Sequence, residues 1–600
     1  MNTKDRYAER IMDAYVLLML CFFPLFTLRG YRDILKDRFK AFCILTGGAA
    51  VFLLLVFLYR FFFEGDFLYR RRAAKRGAKK EEKKPSPGPH GLRERISAFF
   101  PACRLFFEDL EKALRETGIV KKPLSTDLPM LLLIVVYLVS MLRSGYLYET
   151  FWGIWGAQEG KSGGGRCMGF LTWFMIFLAY FMLSRIYRAK LWHILLGLFT
   201  GILVCLWGIT DFFKMNLFHF FDGVAPVYWE TFASSVGNIN SYTSLTAVYM
   251  ALFTVLHLRE EKNWLRLFYF AGMLISYMAC FMGKSDNVAL SFAVLFALLP
   301  LYAWRWKGSF LRYWESILVF LSCMWMLGFL TKSETIPHIG NIYENGILLR
   351  IALDSKMLPI AIFLLLFLIG LMYYLFLRQG IRKTGGSMGE KEYLACFKQA
   401  LPGGKLLVRI WGILLLLSIL SFMILLYIAN SGRPLGVLEP YRNVLVLSDT
   451  WGTGRGMNWK FGMQYFIKKM DLLQKLIGMG PESYYAVTMD NFFQQMVEAE
   501  YGVFDAAHNE YLNYLVTIGI LGLLFYLIFC VRSLRILFGE LGKKLEDRSF
   551  PSDWCAAVGF SFLVYLVQAS VNIAVPIVLP LVLVILFTGL SAARGLREAP

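Results

Sequence analysis

The chain is poor in charge. Only 18% of its 600 residues are Asp, Glu, Lys or Arg, against roughly 25% in soluble domains. Its 57% hydrophobic content exceeds what a soluble core and surface require. The ten cysteines are scattered, none at C-x-x-C spacing, so no disulfide framework or cysteine zinc site is readable. There is no P-loop, no H-E-x-x-H, no Ser-His-Asp pattern and no soluble-type acidic pair. These absences speak against an ATP-driven pump and against a sugar-nucleotide transferase of the soluble kind. No metal and no cofactor is expected. No cleavable leader is evident, because the first apolar run, Ile11–Leu28, lacks a small-residue cleavage site.

What the chain does have is recurrent apolar runs of transmembrane length. About fourteen are expected, near 11–28, 41–63, 128–145, 167–186, 191–210, 239–258, 264–282, 286–304, 313–331, 358–377, 407–429, 509–531, 554–572 and 574–593. The predicted class is an all-α polytopic membrane protein. Its net charge of +20 then reports basic cytoplasmic loops and membrane lipid, with no nucleic acid as partner. The most basic run, Tyr69–Lys80, sets the second inter-span segment on the cytoplasmic side. Alternation next predicts cytoplasmic loops at Arg185–Lys190, Arg259–Lys262, Arg305–Arg312, Arg378–Lys405 and Arg532–Arg548, all basic, and puts both termini in the cytoplasm. Arg29–Lys40 is the exception, a basic loop on the expected outer side.

Five parts follow. Residues 1–63 form an N-terminal two-span hairpin, and 64–127 a basic cytoplasmic insert with a charge run, a Pro/Gly breaker and a helical segment at Leu92–Glu116. Gly385–Gly389 reads as a flexible cytoplasmic connector. Residues 128–429 form the main bundle, 430–507 a long external loop, and 508–600 the last three spans. In the loop, Trp459, Met463, Phe466, Met470, Leu473 and Ile477 fall at helical spacing. Asn458 is the predicted N-cap and Gly478 the stop. Gly480–Ser483 then turns the chain into a second helical segment ahead of the twelfth span.

Candidate chemistry concentrates at Asp505-Ala-Ala-His508-Asn509-Glu510-Tyr511, where a polar cluster runs straight into an apolar span. Imidazole is the side chain suited to take a proton near neutral pH. His508 is expected to share a helical face with Tyr511, Leu512, Leu515, Gly519 and Gly522, the glycines admitting another helix. Its bland alternative is an interfacial histidine bonded to a backbone carbonyl. Arg455 lies among glycines just ahead of the predicted loop helix, a setting suited to an anion; the bland alternative is a surface charge. Arg433, Arg442 and Lys284, the last in a tight turn, are weaker candidates of the same type. Asn238, Asn240, Gln568 and Asn572 are polar groups near the outer ends of spans, lining a cavity or bonding between helices. His219 and His338 lack any supporting cluster.

Gly237-Asn-Ile-Asn240, Gly454-Arg455-Gly-Met-Asn-Trp459, Ile477-Gly-Met-Gly-Pro-Glu-Ser483 and His508-Asn-Glu-Tyr-Leu with Gly519-Ile-Leu-Gly522 occur in that order, followed by Asn572-Ile and Pro576. Together they resemble the O-antigen ligase and O-antigen polymerase superfamily over roughly residues 120–595. The resemblance implies a GT-C-like, metal-independent membrane glycosyltransferase. Its implied donor is an undecaprenyl-diphosphate-linked glycan, used at the outer face of the cytoplasmic membrane. It implies His508 as the catalytic histidine and Arg455 as the residue facing the diphosphate. Lys284, Arg433, Arg442, Asn509, Glu510 and Asn240 would bind substrate, with Glu510 or Asp505 orienting the imidazole. The acceptor (lipid, wall polymer, protein or second glycan) is left open. One departure stands: where the family often has Ser/Thr-Arg at the turn before span eight, this chain reads Lys284-Ser285-Asp286-Asn287. The alternative function is a flippase or transporter for lipid-linked sugars, which would place charges in mid-span and interrupt its helices.

Overall fold

A computed structural model describes residues 6–63, 124–155, 165–332, 356–384, 396–432, 434–500, 502–543 and 549–598. The Leu92–Glu116 segment, most of the basic insert, Gly385–Gly389, His338 and Arg433 lie outside the described residues. Among the described residues the architecture is helical apart from a two-residue antiparallel pair, β1 (Phe232–Ala233) with β2 (Gly237–Asn238), and an isolated bridge between Trp306 and Ala400.

Eighteen helices matter here. They are α1 (Arg6–Leu17), α2 (Ile34–Phe63), α3 (Asp127–Arg143), α4 (Phe170–Arg185), α5 (Leu191–Phe212), α6 (Ile239–Arg259), α7 (Asn263–Met282), α8 (Asn287–Leu298), α9 (Lys307–Lys332), α10 (Leu358–Thr384), α11 (Gly404–Ala429), α12 (Trp451–Lys468), α13 (Leu472–Ile477), α14 (Tyr484–Glu498), α15 (Glu510–Thr517), α16 (Gly519–Lys543), α17 (Phe550–Gln568) and α18 (Leu579–Glu598). Every expected span falls on one or more of them. Among the described residues, ten helices are long and apolar enough to cross a membrane. α3, α4 and α8 are shorter, with 17, 16 and 12 residues. α1 passes into a π-helical turn at Leu18–Phe22.

The centre of the bundle is α6, α17 and α18. In α6 and α18, 89% of the apolar stretch is buried inside the protein, whereas in α10 and α11 only 6% is. The apolar surface of α10 and α11 is therefore solvated by lipid, where no hydrophobic force acts between helices. The buried helices instead carry small and polar residues. Gly208 is one such residue: a Cβ there would meet the Tyr242 hydroxyl at 2.1 Å, so glycine is what lets α5 and α6 touch.

The loops fall into two groups, one at each end of the bundle. At one end Lys398 pairs with Glu261 at 2.7 Å, Arg532 Nη1 donates to Ser125 O at 2.8 Å, and Arg185 pairs with Asp127. At the other end lie 24–38, 144–155, 165–169, 211–238, 283–287, 430–432, 434–500, 502–509 and 569–578. The anomalous loop at Arg29–Lys40 belongs to this second end: Tyr31 stacks on Phe232 and donates to Asp211 at 3.3 Å. Its charge is largely consumed within the fold. Arg38 is fully buried, donating to Pro24 O at 2.8 Å and Ser235 O at 2.7 Å, and Lys36 lies 3.4 Å from Asp33.

The twelfth span departs from expectation. It is two helices, α15 and α16, broken at Ile518–Gly519, where Gly519 has φ +71°. The freed carbonyls are used: Met479 N donates to Val516 O at 3.1 Å and Gly480 N to Thr517 O at 2.9 Å. Gly519 thus admits, as expected, the backbone of a neighbouring helix, the last turn of α13, together with the strap that follows it. A Cβ on it would meet the Leu476 carbonyl carbon at 2.5 Å.

Candidate functional site

The long loop carries its own small core. Phe461 stacks on Phe492 at 4.4 Å, and Tyr465, Met470, Tyr484, Val487, Met496 and Phe504 complete it against Leu512 and Val516. Two expectations are corrected here. The first loop helix starts at Trp451, so Asn458 is not its N-cap but a buried residue within it. Asn458 Nδ2 donates to Ala506 O at 2.8 Å, and Tyr484 Oη donates to Asn458 Oδ1 at 2.8 Å. The buried face runs through Asn458, Phe461 and Tyr465, while Met463 of the expected stripe is 41% exposed. The helix also ends earlier, at Lys468, and α13 restarts at an Asp471–Gln474 capping box. Gly478 does stop α13, with φ +81°.

Arg455 consequently sits in the first turns of α12, not ahead of it. Gly456 is required there, because a Cβ would meet Ser448 O at 1.9 Å. Arg455 Nη1 donates to Gly452 O at 3.3 Å, while Nε is buried and without a hydrogen-bond partner among the described residues. Burial pulls the guanidinium below its ordinary value, opposed by the Asp286 carboxylate.

His508 lies before the helix, not on its face. Its φ is +50°, a left-handed backbone that costs of order 1–3 kcal/mol outside glycine and gathers at functional sites. Asn509 is the N-cap of α15, its Oδ1 accepting from Leu512 N at 3.1 Å. The imidazole pKa is lowered to about 4, by burial first and then by the Arg166 and Arg455 charges, with Asp505 opposing. It is held neutral and able to accept a proton.

Neither expected carboxylate is hydrogen-bonded to the ring. Glu510 is buried and accepts from Tyr565 at 2.6 Å and Tyr514 at 3.4 Å. Asp505 accepts from Arg166 Nη2 at 2.8 Å. Arg166, from the loop before α4, is the residue that sequence reasoning missed. The signal available was Gly163-Gly-Gly-Arg166, a glycine run ending in arginine. Its backbone N donates to Glu482 Oε2 at 3.0 Å, and Trp155 Nε1 donates to Glu482 O at 2.6 Å. Glu482, in the strap, has φ +59° and a pKa raised by burial to about 7.

The other candidates spread out from this cleft. Lys284, φ +56°, forms an ion pair with Glu230, which also pairs with Lys214. Asn240 Oδ1 accepts from Ser285 at 2.7 Å and its carbonyl from Asn572 at 3.1 Å, tying the 283–287 turn to α6 and to the segment after α17. Gln568 Nε2 donates to Ser291 at 2.7 Å. Arg442 is exposed and bonded to Glu439 at 2.6 Å. Among the described residues no cluster of His, Cys, Asp and Glu has metal-ligand geometry.

No curated protein matches the chain. A family model described as O-Antigen ligase matches residues 351–527, a stretch that includes Arg455 and His508 and leaves out Arg166, Asn240 and Lys284. Over residues 351–527 the chain is thus similar to O-antigen ligases, which supports the resemblance to the O-antigen ligase and polymerase superfamily.

Proposed function

We propose that the protein is a GT-C-like, metal-independent membrane glycosyltransferase of surface polysaccharide assembly. It moves a glycan from an undecaprenyl-diphosphate donor to an acceptor hydroxyl at the extracytoplasmic face of the cytoplasmic membrane. The observation that carries the reading is His508, held with a left-handed backbone at the head of α15 and brought against the helix of Arg455, whose Nε is buried and unpartnered among the described residues, by the Asn458–Ala506 bond at 2.8 Å. The neutral ring removes the acceptor proton as its oxygen attacks the anomeric carbon. The bond from that carbon to the diphosphate breaks, and the electron pair stays on the leaving oxygen. Arg455 stabilises that charge in a site where water is scarce.

The test is glycan transfer by purified protein in lipid nanodiscs, using a lipid-diphosphate-linked glycan. His508→Ala and Arg455→Ala are expected to insert normally and lose transfer by at least about 100-fold. Wild-type rates in both variants would end the reading. The interrupted twelfth span is the one feature shared with a transporter. Its open carbonyls, however, are filled by Met479 and Gly480. Movement of lipid-linked glycan across vesicles with no joined product would favour that second reading.

A further inference from the structure

We propose that Arg166 is a second guanidinium that grips the donor diphosphate, opposite Arg455. This rests on the transferase reading above. Arg166 and Arg455 arrive from elements far apart in the chain, the loop before α4 and the first turns of α12. Each has a buried Nε with no hydrogen-bond partner among the described residues. Buried donors are seldom left unpaired, and an unpaired one calls for a missing acceptor. Both are anchored to the same turn ahead of His508, Arg166 through Asp505 at 2.8 Å and the helix of Arg455 through the Asn458–Ala506 bond at 2.8 Å, and two such donors point to one anion between them.

Arg166 is held for this task. Its backbone is fixed by Glu482 and its Nη2 by Asp505, three residues before His508. Trp155 fixes Glu482 in turn. The strap has no room to drift, since a Cβ on Gly480 would meet Ser144 and Thr150 side chains at 2.6 and 2.7 Å. The Gly-Met-Gly-Pro-Glu-Ser segment thus acquires a purpose: it joins the broken span to the arginine loop.

Charge balance favours the same conclusion. Asp286 already acts on Arg455, and Lys284 and Lys214 share Glu230. A diphosphate needs more positive charge than Arg455 alone offers. Arg166 shares Asp505 through Nη2, but its planar fork keeps Nε for a phosphate oxygen.

The experiment measures binding of farnesyl diphosphate and of farnesol to the full-length protein in nanodiscs, alongside melting temperature. Arg166→Gln is expected to weaken farnesyl diphosphate binding by about 10- to 100-fold, the loss of a charge-assisted bond, and to leave farnesol binding unchanged. Arg166→Lys should recover part of the loss. Asp505→Asn, which frees Arg166 without removing it, should keep diphosphate binding within about threefold. If Arg166→Gln binds diphosphate like wild type, the inference is overturned while the transferase reading stands. Equal losses for diphosphate and farnesol, with a lowered melting temperature, would mark Arg166 as structural and overturn it too. A wild-type protein with no affinity for farnesyl diphosphate would overturn the donor reading itself, and this inference with it.

Discussion

The two ends of the bundle use arginine differently. At one end, Arg259 is buried and bonds to Asp553, Tyr302 and Ser552, the last at 3.2 Å. Arg312 there donates to the carbonyls of Glu260 at 2.7 Å and Leu258 at 3.1 Å, closing the end of α6. At the other end Arg455 and Arg166 keep buried donors in reserve. An arginine whose hydrogen bonds are spent on the protein is part of the scaffold. An unpaired buried donor is not enough by itself, since fully buried Arg38 has two among the described residues and serves the fold through Pro24 O and Ser235 O; beside the turn that leads to His508 it leaves a place for an anion.

The sharpest break between the two ends is a stability–activity split. Arg259→Ala removes a buried cation with its bonds to Asp553, Tyr302 and Ser552 and is expected to cost about 3–5 kcal/mol. Thermal unfolding in detergent would read this, and the fraction that folds should transfer glycan at the wild-type specific rate. Arg455→Ala is expected to do the reverse, keeping stability within about 0.5 kcal/mol while transfer collapses. Similar unfolding losses for both would erase the contrast.

The next effect is on pH. His508 is neutral in the folded protein above about pH 4, so the acid limb of the transfer rate should lie near there. Arg455→Gln removes one of the charges that disfavour the imidazolium. The limb should then move up towards the ordinary histidine value of roughly 6.5, read from the pH profile of residual activity. The same group makes stability fall with acidity: the unfolded state takes the proton first, so stability is complete above about pH 6.5 and declines as pH drops towards 4. An acid limb that stays put in Arg455→Gln would show that the two groups are uncoupled.

Much of this was legible in one dimension. Span lengths picked out the helices of the bundle, because lipid imposes a length on every segment separately. The imidazole at the loop–span junction stood out because polar residues rarely meet an apolar helix without a linker. Arg166 stayed hidden because its partner Asp505 is 339 residues away, and no local pattern encodes that meeting. The start of α12 was missed for the opposite reason: Trp451-Gly-Thr-Gly-Arg455 reads as a loop, since glycine is costly in helices. The fold tolerates it because the Ser448 backbone must pass close to Gly456. The break in span twelve was likewise silent, as Gly519 suits a helix contact and a left-handed turn equally well.

A smaller effect isolates the strap. Glu482 holds its proton more tightly folded than unfolded, with a folded pKa of about 7. Its contribution to stability is therefore present at acidic pH and is lost as pH rises through about 7. Glu482→Gln keeps an acceptor for Arg166 N without the ionisation. The variant should unfold at nearly the wild-type temperature below about pH 4.5 and at a progressively higher one as pH rises to about 7. Parallel pH dependence in the two proteins would mean that Glu482 does not titrate in this range.

The smallest expected effect is at Arg442, which sequence reasoning grouped with Arg455 as a phosphate-facing cation. The two differ in setting. Arg442 is more than half exposed and faces Glu439 three residues away, an arrangement in which water and salt screen most of the charge. Its donors already have an acceptor, and solvent supplies the rest. Arg442→Ala should change neither unfolding temperature nor diphosphate binding measurably, with both assays run beside Arg455→Ala. A binding loss comparable to that of Arg455→Ala would mean that exposed, paired arginines also serve the donor. The distinction between spent and reserved guanidinium groups would then fail as a guide to this end of the molecule.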